Sequence, residues 1–201
     1  MHWSRTGGRK LSEKEIFSSR HPLIKQYVRL AGSRRYRRLT GKLPLEGPNL
    51  IREALRAGIV PEAIFYTRRY LKGSGLPDII LDLPGEVERY VLTPELFKTM
   101  ALTDTPQEVA ALAPMPPGLS RKPAAGRVEL GLLLDRLQDP GNLGTIIRTA
   151  AASGADGVYY TSGTVDPYSP KVMRSTAGAV FHLPLVHIPD PRLWLDELKN
   201  Q

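Results

Sequence analysis

The sequence predicts an α/β protein in which a small N-terminal α/β domain precedes a domain built on a parallel sheet. From Leu132 to Pro184, short apolar segments alternate with helical segments, and this alternation requires crossover connections and a parallel sheet. Residues 114–126 contain four prolines, which are incompatible with a packed helix or a central strand. We therefore expect two domains joined by a proline-rich, semi-rigid linker.

Size and composition restrict the possible functions. The 201 residues are enough for one large domain or two small ones. The chain has no cysteine, which excludes disulfides, thiolate metal sites and cysteine nucleophiles. Its four histidines are scattered, so we expect no metal site. No segment is long enough to span a bilayer, and the basic N-terminus lacks the apolar core of a signal peptide. We expect a cytoplasmic protein without membrane contact.

The net charge of +8 is concentrated at one end of the chain. Residues 1–48 contain twelve lysines and arginines against three acidic residues, whereas the remainder is close to neutral. Four of these arginines surround Tyr36, and guanidinium groups pair with phosphate while tyrosine can stack on a base. This pattern indicates nucleic-acid binding, although a solvated basic surface that only aids solubility is the alternative. The residues predicted to bind nucleic acid are Arg34, Arg35, Arg37, Arg38 and Lys42.

The N-terminal half is predicted to contain alternating helices and strands after a basic, disordered tail over residues 1–15. Ser12 and Glu15 have the spacing of a capping box, which predicts a short helix there. Helices are expected from Pro22 to about Leu30, from Pro48 to Gly58, and from Pro94 after a Thr93 cap. Strands are expected over residues 43–47, 63–67, 78–83, 90–92 and 108–113.

The second half begins with an apolar strand, residues 131–134, followed by the turn Asp139-Pro140-Gly141. A helix should start at Asn142, with the Asn142 side chain as its N-cap. A second strand over residues 158–160, a helix beginning at Ser169-Pro170 and an apolar segment over residues 180–186 complete the pattern. Ligands of parallel sheets bind beyond the carboxyl ends of the strands, which directs attention to residues 135–142.

The helix after this turn carries one arginine away from its apolar stripe. At about 100° per residue, Arg148 lies almost opposite the stripe, which consists of Leu143, Ile146, Ile147 and Ala150. Periodicity alone leaves a functional role and simple solvation of Arg148 both open. The glycines match neither a dinucleotide fingerprint nor a P-loop, and Ser153 is not in a nucleophile elbow.

These residues resemble the first motif of the SpoU (TrmH-type) RNA ribose 2′-O-methyltransferases of the SPOUT superfamily. The matching pieces are the strand ending in Asp135, the run Asp139-Pro140-x-Asn142-x-Gly144-x-x-x-Arg148-Thr149-Ala150, and the later Ser175-Thr176-Ala177-Gly178-Ala179. The N-terminal half resembles that family's small substrate-binding domain. The resemblance implies an RNA substrate-binding domain over residues 16–113, a linker over 114–126, and the N-terminal part of a knotted SPOUT methyltransferase domain over 127–201.

The resemblance also implies a reaction and its residues. Family members transfer a methyl group from S-adenosylmethionine to a ribose 2′-hydroxyl of RNA, and rRNA is the favoured substrate here. By position, Arg148 corresponds to the arginine proposed to help deprotonate that hydroxyl, and Asn142 to the asparagine that orders the site. Because arginine is a poor base, the role of Arg148 is explained equally well if it positions the hydroxyl.

Two later motifs of the family, which form the cofactor pocket and much of a homodimer interface, would lie beyond Gln201. We therefore expect an incomplete S-adenosylmethionine site in this chain and assign no cofactor-binding residue. A homodimer is implied for full-length members, and the assembly of this chain stays open. The alternative function is a non-catalytic RNA-binding protein, or a fragment, of the same fold.

Overall fold

The computed structural model describes residues 12–73, 79–80, 83–116 and 129–199. We call residues 12–116 the N-terminal unit and residues 129–199 the C-terminal unit. The strands are β1 (Glu13–Ile16), β2 (Lys42–Glu46), β3 (Ala63–Thr67), β4 (Glu88–Leu92), β5 (Val109–Pro114), β6 (Gly131–Leu134), β7 (Gly157–Thr161) and β8 (Leu185–Ile188). The helices are α1 (Pro22–Gly32), α2 (Arg34–Thr40), α3 (Pro48–Arg56), α4 (Arg68–Lys72), α5 (Pro94–Met100), α6 (Pro140–Ala152), α7 (Pro170–Ser175) and α8 (Pro191–Lys199). None of the helices in these ranges has the length and apolarity needed to cross a membrane.

The N-terminal unit is a mixed sheet of strand order β1-β4-β3-β5-β2 with helices packed on it. β1, β4 and β3 run parallel to one another, while β5 runs antiparallel to both β3 and β2. The prediction of a capped helix at Ser12 is wrong, because residues 13–16 form β1 and pair with β4. Ile16 is buried by this pairing, and the burial outweighs the local helix signal. Residues 13–15 therefore belong to the sheet rather than to the predicted tail.

A second segment of this unit also differs from its prediction. The strand expected over residues 78–83 is contradicted at Ile79 and Ile80, which are helical, while residues 78, 81 and 82 lie outside the described residues. Ile79 and Ile80 are buried, so the apolar run reflects burial and not strand periodicity. The predicted linker over residues 114–126 is described only as far as residue 116, and it begins one residue later than predicted at the earliest, because Pro114 belongs to β5 and pairs with Lys42. The helices at Pro22, Pro48 and Pro94 and the strands of β2, β3, β4 and β5 are confirmed.

The C-terminal unit is a parallel sheet of strand order β6-β7-β8, which confirms the predicted fold class. Its register places Leu133 opposite Tyr159, and Tyr159 opposite Val186. Trp194 of α8 covers this face, with its ring centroid 4.4 Å from that of Tyr159. The apolar segment over residues 180–186 is not one strand: Ala179–Phe181 forms a 3₁₀ turn, and β8 begins only at Leu185.

The helix after β6 begins two residues earlier than predicted. Pro140 occupies its first turn, and Asp139 is the N-cap, accepting from the Asn142 backbone N–H at 2.6 Å. The prediction that the Asn142 side chain caps this helix is therefore wrong. A carboxylate is as good a cap as an amide, and proline is favoured at the first helical position.

The two units share one hydrophobic core. The largest buried cluster joins Leu43 and Ile51 of the N-terminal unit to Leu143 and Ile147 of α6. Burial of apolar side chains from both units gives this junction the character of a domain interior. The placement of β2 and α3 against the C-terminal unit is therefore determined by packing.

Gly144 allows α6 to approach α7 closely. A Cβ atom added at Gly144 would lie 1.8 Å from Ser175 Oγ and 2.5 Å from Ser175 Cβ. Ser175 Oγ in turn donates to the Pro140 carbonyl at 3.1 Å, which ties the end of α7 to the start of α6. The two sequence blocks that carry the family resemblance are therefore in direct contact.

We predict that Gly144→Ala lowers the free energy of unfolding by about 2 kcal/mol, measured by urea denaturation. Alanine would gain about 1 kcal/mol of helix propensity, but its Cβ would overlap the side chain and backbone of Ser175, and overpacking of this kind costs about 3 kcal/mol. Gly32→Ala is the matched control, because its Cβ would meet no atom within 4 Å. A Gly144→Ala protein as stable as the parent would show that this close approach does not constrain the fold.

Candidate functional site

The motif helix α6 presents Asn142 and Arg148 to solvent. Leu143, Ile147 and Ala150 are buried against the sheet, whereas Asn142 and Arg148 are exposed. The Arg148 guanidinium has neither a hydrogen bond nor an ion pair within the described ranges. An unpaired cation held on this helix is available to a ligand, and its exposure agrees with the predicted position of Arg148 away from the apolar stripe.

The carboxyl ends of β6 and β7 are joined by a polar cluster. Asp135 Oδ1 accepts from Thr161 Oγ1 at 2.7 Å, and Thr161 Oγ1 accepts from the Arg136 backbone N–H at 3.0 Å. The Thr161 hydrogen bond, helped by the neighbouring Arg136, lowers the pKa of Asp135 below its usual value. Asp135 is therefore an exposed, ionised side chain at the edge where ligands of such sheets bind.

The arginines of α2 separate into one buried and three accessible side chains. Ser33 caps the helix by accepting from the Tyr36 N–H at 3.1 Å. Arg37 is only 3% exposed and donates to the Leu30 carbonyl and to Asp166 Oδ2, each at 2.5 Å. The prediction that Arg37 binds nucleic acid must therefore be corrected: its charge is neutralised by a carboxylate of the C-terminal unit.

The other three arginines open into a cleft between the two units, with a volume of about 550 Å³. We call it the arginine cleft. Its lining residues are Arg34, Arg35, Arg38, Ser162, Gly163 and His187. Lys42 is not among them and pairs instead with Glu62 at 2.5 Å. Asn142 and Arg148 do not line it either.

Ser162 and His187 are candidate ligand contacts that the sequence did not reveal. Ser162 Oγ lies 3.2 Å from His187 Nε2, and the His187 ring lies 5.4 Å from that of Tyr160. Partial burial and the charges of Arg38 and Arg34 lower the pKa of His187 below its ordinary value. Neither residue has a specific signal in the sequence: Ser162 follows a predicted strand, and His187 is one of the four scattered histidines.

The junction between the units includes a second polar pair. His182 Nε2 lies 2.9 Å from Glu53 Oε2 of α3, and a Cβ added at Gly178 would lie 2.4 Å from Glu53 Cβ. Partial burial opposes ionisation of Glu53, but hydrogen bonds from His182 and Arg56 outweigh it and lower the Glu53 pKa. Gly178 has φ +92, which also favours glycine.

Comparison with known proteins identifies the family. Residues 129–201 match the SpoU rRNA Methylase family, and residues 21–111 match the MRM3-like substrate binding domain. The chain is 36% identical over 189 residues to the 23S rRNA (guanosine(2553)-2′-O)-methyltransferase RlmP of Bacillus subtilis, covering 94% of this chain and 70% of that protein. This chain belongs to the SpoU rRNA methylase family.

The chain also resembles a mitochondrial relative and several solved structures. The chain is 34% identical to the human mitochondrial rRNA methyltransferase 3 over 169 residues, or 82% of this chain and 39% of that protein. Among solved structures, the SpoU methyltransferase AviRb from Streptomyces viridochromogenes in complex with AdoMet matches with a TM-score of 0.78 at 28% identity. That match covers 90% of this chain and 68% of AviRb. An AdoMet-bound rRNA methyltransferase from Sinorhizobium meliloti matches with a TM-score of 0.74 at 28% identity. This match covers 93% of this chain and 69% of that protein.

S-adenosylmethionine is the methyl donor of this family, and the arginine cleft does not fit it. The cofactor carries a sulfonium and an ammonium cation against a single carboxylate and is therefore a net cation, whereas the cleft is lined by three arginines and no carboxylate. Like charges at close range are repulsive, so this cleft suits an anion. The described part of the chain contains no cluster of histidine and carboxylate side chains able to hold a metal.

We predict that Asp166→Asn lowers the free energy of unfolding by about 3 kcal/mol in urea denaturation. The substitution leaves the Arg37 charge buried without a counter-ion, which costs more than the loss of the ion pair itself. Lys14→Gln is the control, because it breaks an exposed ion pair with Glu88, and exposed ion pairs contribute little to stability. Equal effects of the two substitutions would argue against a special role for the buried pair.

Proposed function

We propose that this protein transfers the methyl group of S-adenosylmethionine to a ribose 2′-hydroxyl of ribosomal RNA. Family membership and the activity in the name of the Bacillus relative support this proposal. The structural observation that supports it most directly is the unpaired, exposed Arg148 on a helix fixed by the close approach of Gly144 to Ser175. Since the Bacillus relative acts on 23S rRNA, a cytoplasmic location is part of the proposal.

We assign Arg148 to the substrate ribose. An arginine side chain has five N–H donors and no acceptor, and it retains its charge at neutral pH. It would therefore orient the ribose hydroxyl for attack and stabilise the negative charge that develops on its oxygen. The proton of the 2′-hydroxyl is then taken up by another group, such as an RNA phosphate or water. Asn142, nearly two turns before Arg148 on the same helix, would orient the RNA beside it.

Arg148→Ala is expected to lower kcat by about a hundredfold or more, which is typical of losing one preorganised donor. Arg148→Lys should retain charge but lose the planar fork, so its activity should stay well below that of the parent protein. The assay incubates the chain with an unmodified 23S rRNA transcript and tritiated S-adenosylmethionine. Ribose methylation is recognised by a labelled dinucleotide that resists alkaline hydrolysis.

Lys98→Ala is the control for this assay, because Lys98 is an exposed cation on α5 of the N-terminal unit. Unchanged kcat in Arg148→Ala would reject the assignment of Arg148. Absence of labelling by the parent chain, together with retained RNA binding, would favour the non-catalytic RNA-binding alternative.

We also propose that the protein forms a homodimer, as the resemblance implies for full-length members. In the described sheet β6 is an edge strand, and Leu133 beside Tyr159 is 36% exposed. Apolar surface next to an unpaired strand edge favours association. Light scattering should give the mass of two chains, whereas a single-chain mass at every concentration would contradict this proposal.

A further inference from the structure

The arginine cleft has a composition that the proposed reaction does not explain. Three cationic side chains from α2 face Ser162, Gly163 and His187 from the second unit. The charge of Arg37 is matched by Asp166, and Asp166 Oδ1 lies 3.9 Å from Arg34 Nε. Arg35 and Arg38 have no carboxylate partner among the described residues. The cleft therefore has an excess of positive charge that a bound anion would neutralise.

We propose that the arginine cleft holds a backbone phosphate of the RNA substrate, with Arg35 and Arg38 on one side and Ser162 and His187 on the other. This inference rests on the proposed function, because it takes RNA as the substrate. It adds a phosphate-binding site shared by the two units and assigns ligand roles to two residues of the C-terminal unit. RNA bound in this way would bridge the units.

Side-chain chemistry favours phosphate over other anions. Guanidinium groups donate paired hydrogen bonds to phosphate oxygens, and a serine hydroxyl adds a neutral donor. The volume of about 550 Å³ lies within the range of about 300–1,000 Å³ typical of ligand sites. A phosphate together with its ribose can therefore enter.

The position of the cleft agrees with the topology. Ser162 directly follows β7, and His187 is the third residue of β8, so both lie near the carboxyl ends of parallel strands. Gly163 has φ +91, and a Cβ there would come within 3.0 Å of Arg136 Cγ. A glycine at this point keeps the loop compact and leaves the mouth of the cleft open.

His187 makes the site sensitive to pH. The groups that face it are Arg34 and Arg38 of α2, Tyr160 of β7 and Ser162 of the following loop. The neighbouring arginines favour the neutral imidazole in the free protein, whereas a phosphate would favour the charged form. Binding should therefore raise the pKa of His187 and take up a proton, so that affinity increases as pH falls through the ordinary titration range of histidine.

The first test measures binding of the full chain to a fluorescein-labelled 23S rRNA transcript fragment by anisotropy over a range of salt concentrations. Arg35→Gln/Arg38→Gln should weaken binding by about tenfold per arginine. It should also reduce the salt slope by about 1 for each phosphate that is no longer neutralised. The control Lys98→Gln/Arg192→Gln removes the same amount of charge from α5 and α8. It should change the affinity for RNA and the salt slope less than the arginine variant does.

The second test asks whether the two units hold the same phosphate. Arg38→Gln and His187→Gln are measured singly and together, and their combined loss of affinity should be at least about twofold smaller than the product of the single losses. Calorimetry in two buffers of different ionisation enthalpy should show proton uptake in the parent protein and none in His187→Gln. Circular dichroism checks the fold of each variant, and the single His187→Gln variant serves if the double arginine variant misfolds.

The outcomes separate the phosphate site from the methyltransferase activity. If the parent binds and methylates the RNA while the cleft and control variants behave alike, the phosphate site is rejected and the proposed function stands. If proton uptake is absent or unaffected by His187→Gln, and this variant binds RNA as tightly as the parent, His187 is not a ligand. Competition by inorganic phosphate or AMP as strong as that by RNA would show a free-phosphate site instead. Failure of the parent to bind RNA would reject both proposals.

Discussion

Arg37 and Asp166 form an ion pair across the junction of the two units, and the relative placement of α2 and the second sheet depends on it. Arg37 is almost wholly buried and also donates to the carbonyls of Leu30 and Ala31 at the end of α1. One side chain therefore joins α1, α2 and the loop after β7. Because a buried charge without its partner is costly, this ion pair disfavours other orientations of the units. The ion pair adds direction to the non-directional packing of the shared apolar core.

The same ion pair explains why the remaining arginines point outward. On a seven-residue helix, Arg34 and Arg38 lie one turn apart and Arg35 lies beside them, whereas Arg37 points inward. Burial of Arg37 fixes the rotation of α2, and in that rotation Arg34, Arg35 and Arg38 line the cleft. A basic segment that looks uniform in sequence has two physical roles, and the structural role of one residue orients the others. The glycine at position 144 acts similarly on α6, since its close approach to Ser175 sets the helix from which Arg148 projects.

Much of the fold could be predicted from sequence because the signals are local. Proline in the first turn and a preceding hydroxyl residue mark the starts of α5 and α7, with Thr93 and Ser169 as caps. Predictions failed where tertiary interactions decided the outcome. Ser12 and Glu15 have a capping-box spacing, but pairing with β4 made that segment a strand. Asn142 has the chemistry of a cap, but Asp139 was better placed. The site was predicted only in part, since Arg148 is exposed as expected whereas Arg37 is buried.

By itself the sequence determined the α/β class, the order of most helices and strands, the family, and the concentration of positive charge near the N-terminus. These properties depend on residue type, on spacing within one or two helical turns, and on motifs of adjacent residues. The tertiary structure alone decided which arginine is neutralised and which residues share a cleft. Arg38 and His187 are far apart in sequence, and no local pattern relates them. They face the same cleft only because the core and the Arg37–Asp166 pair hold the two units together.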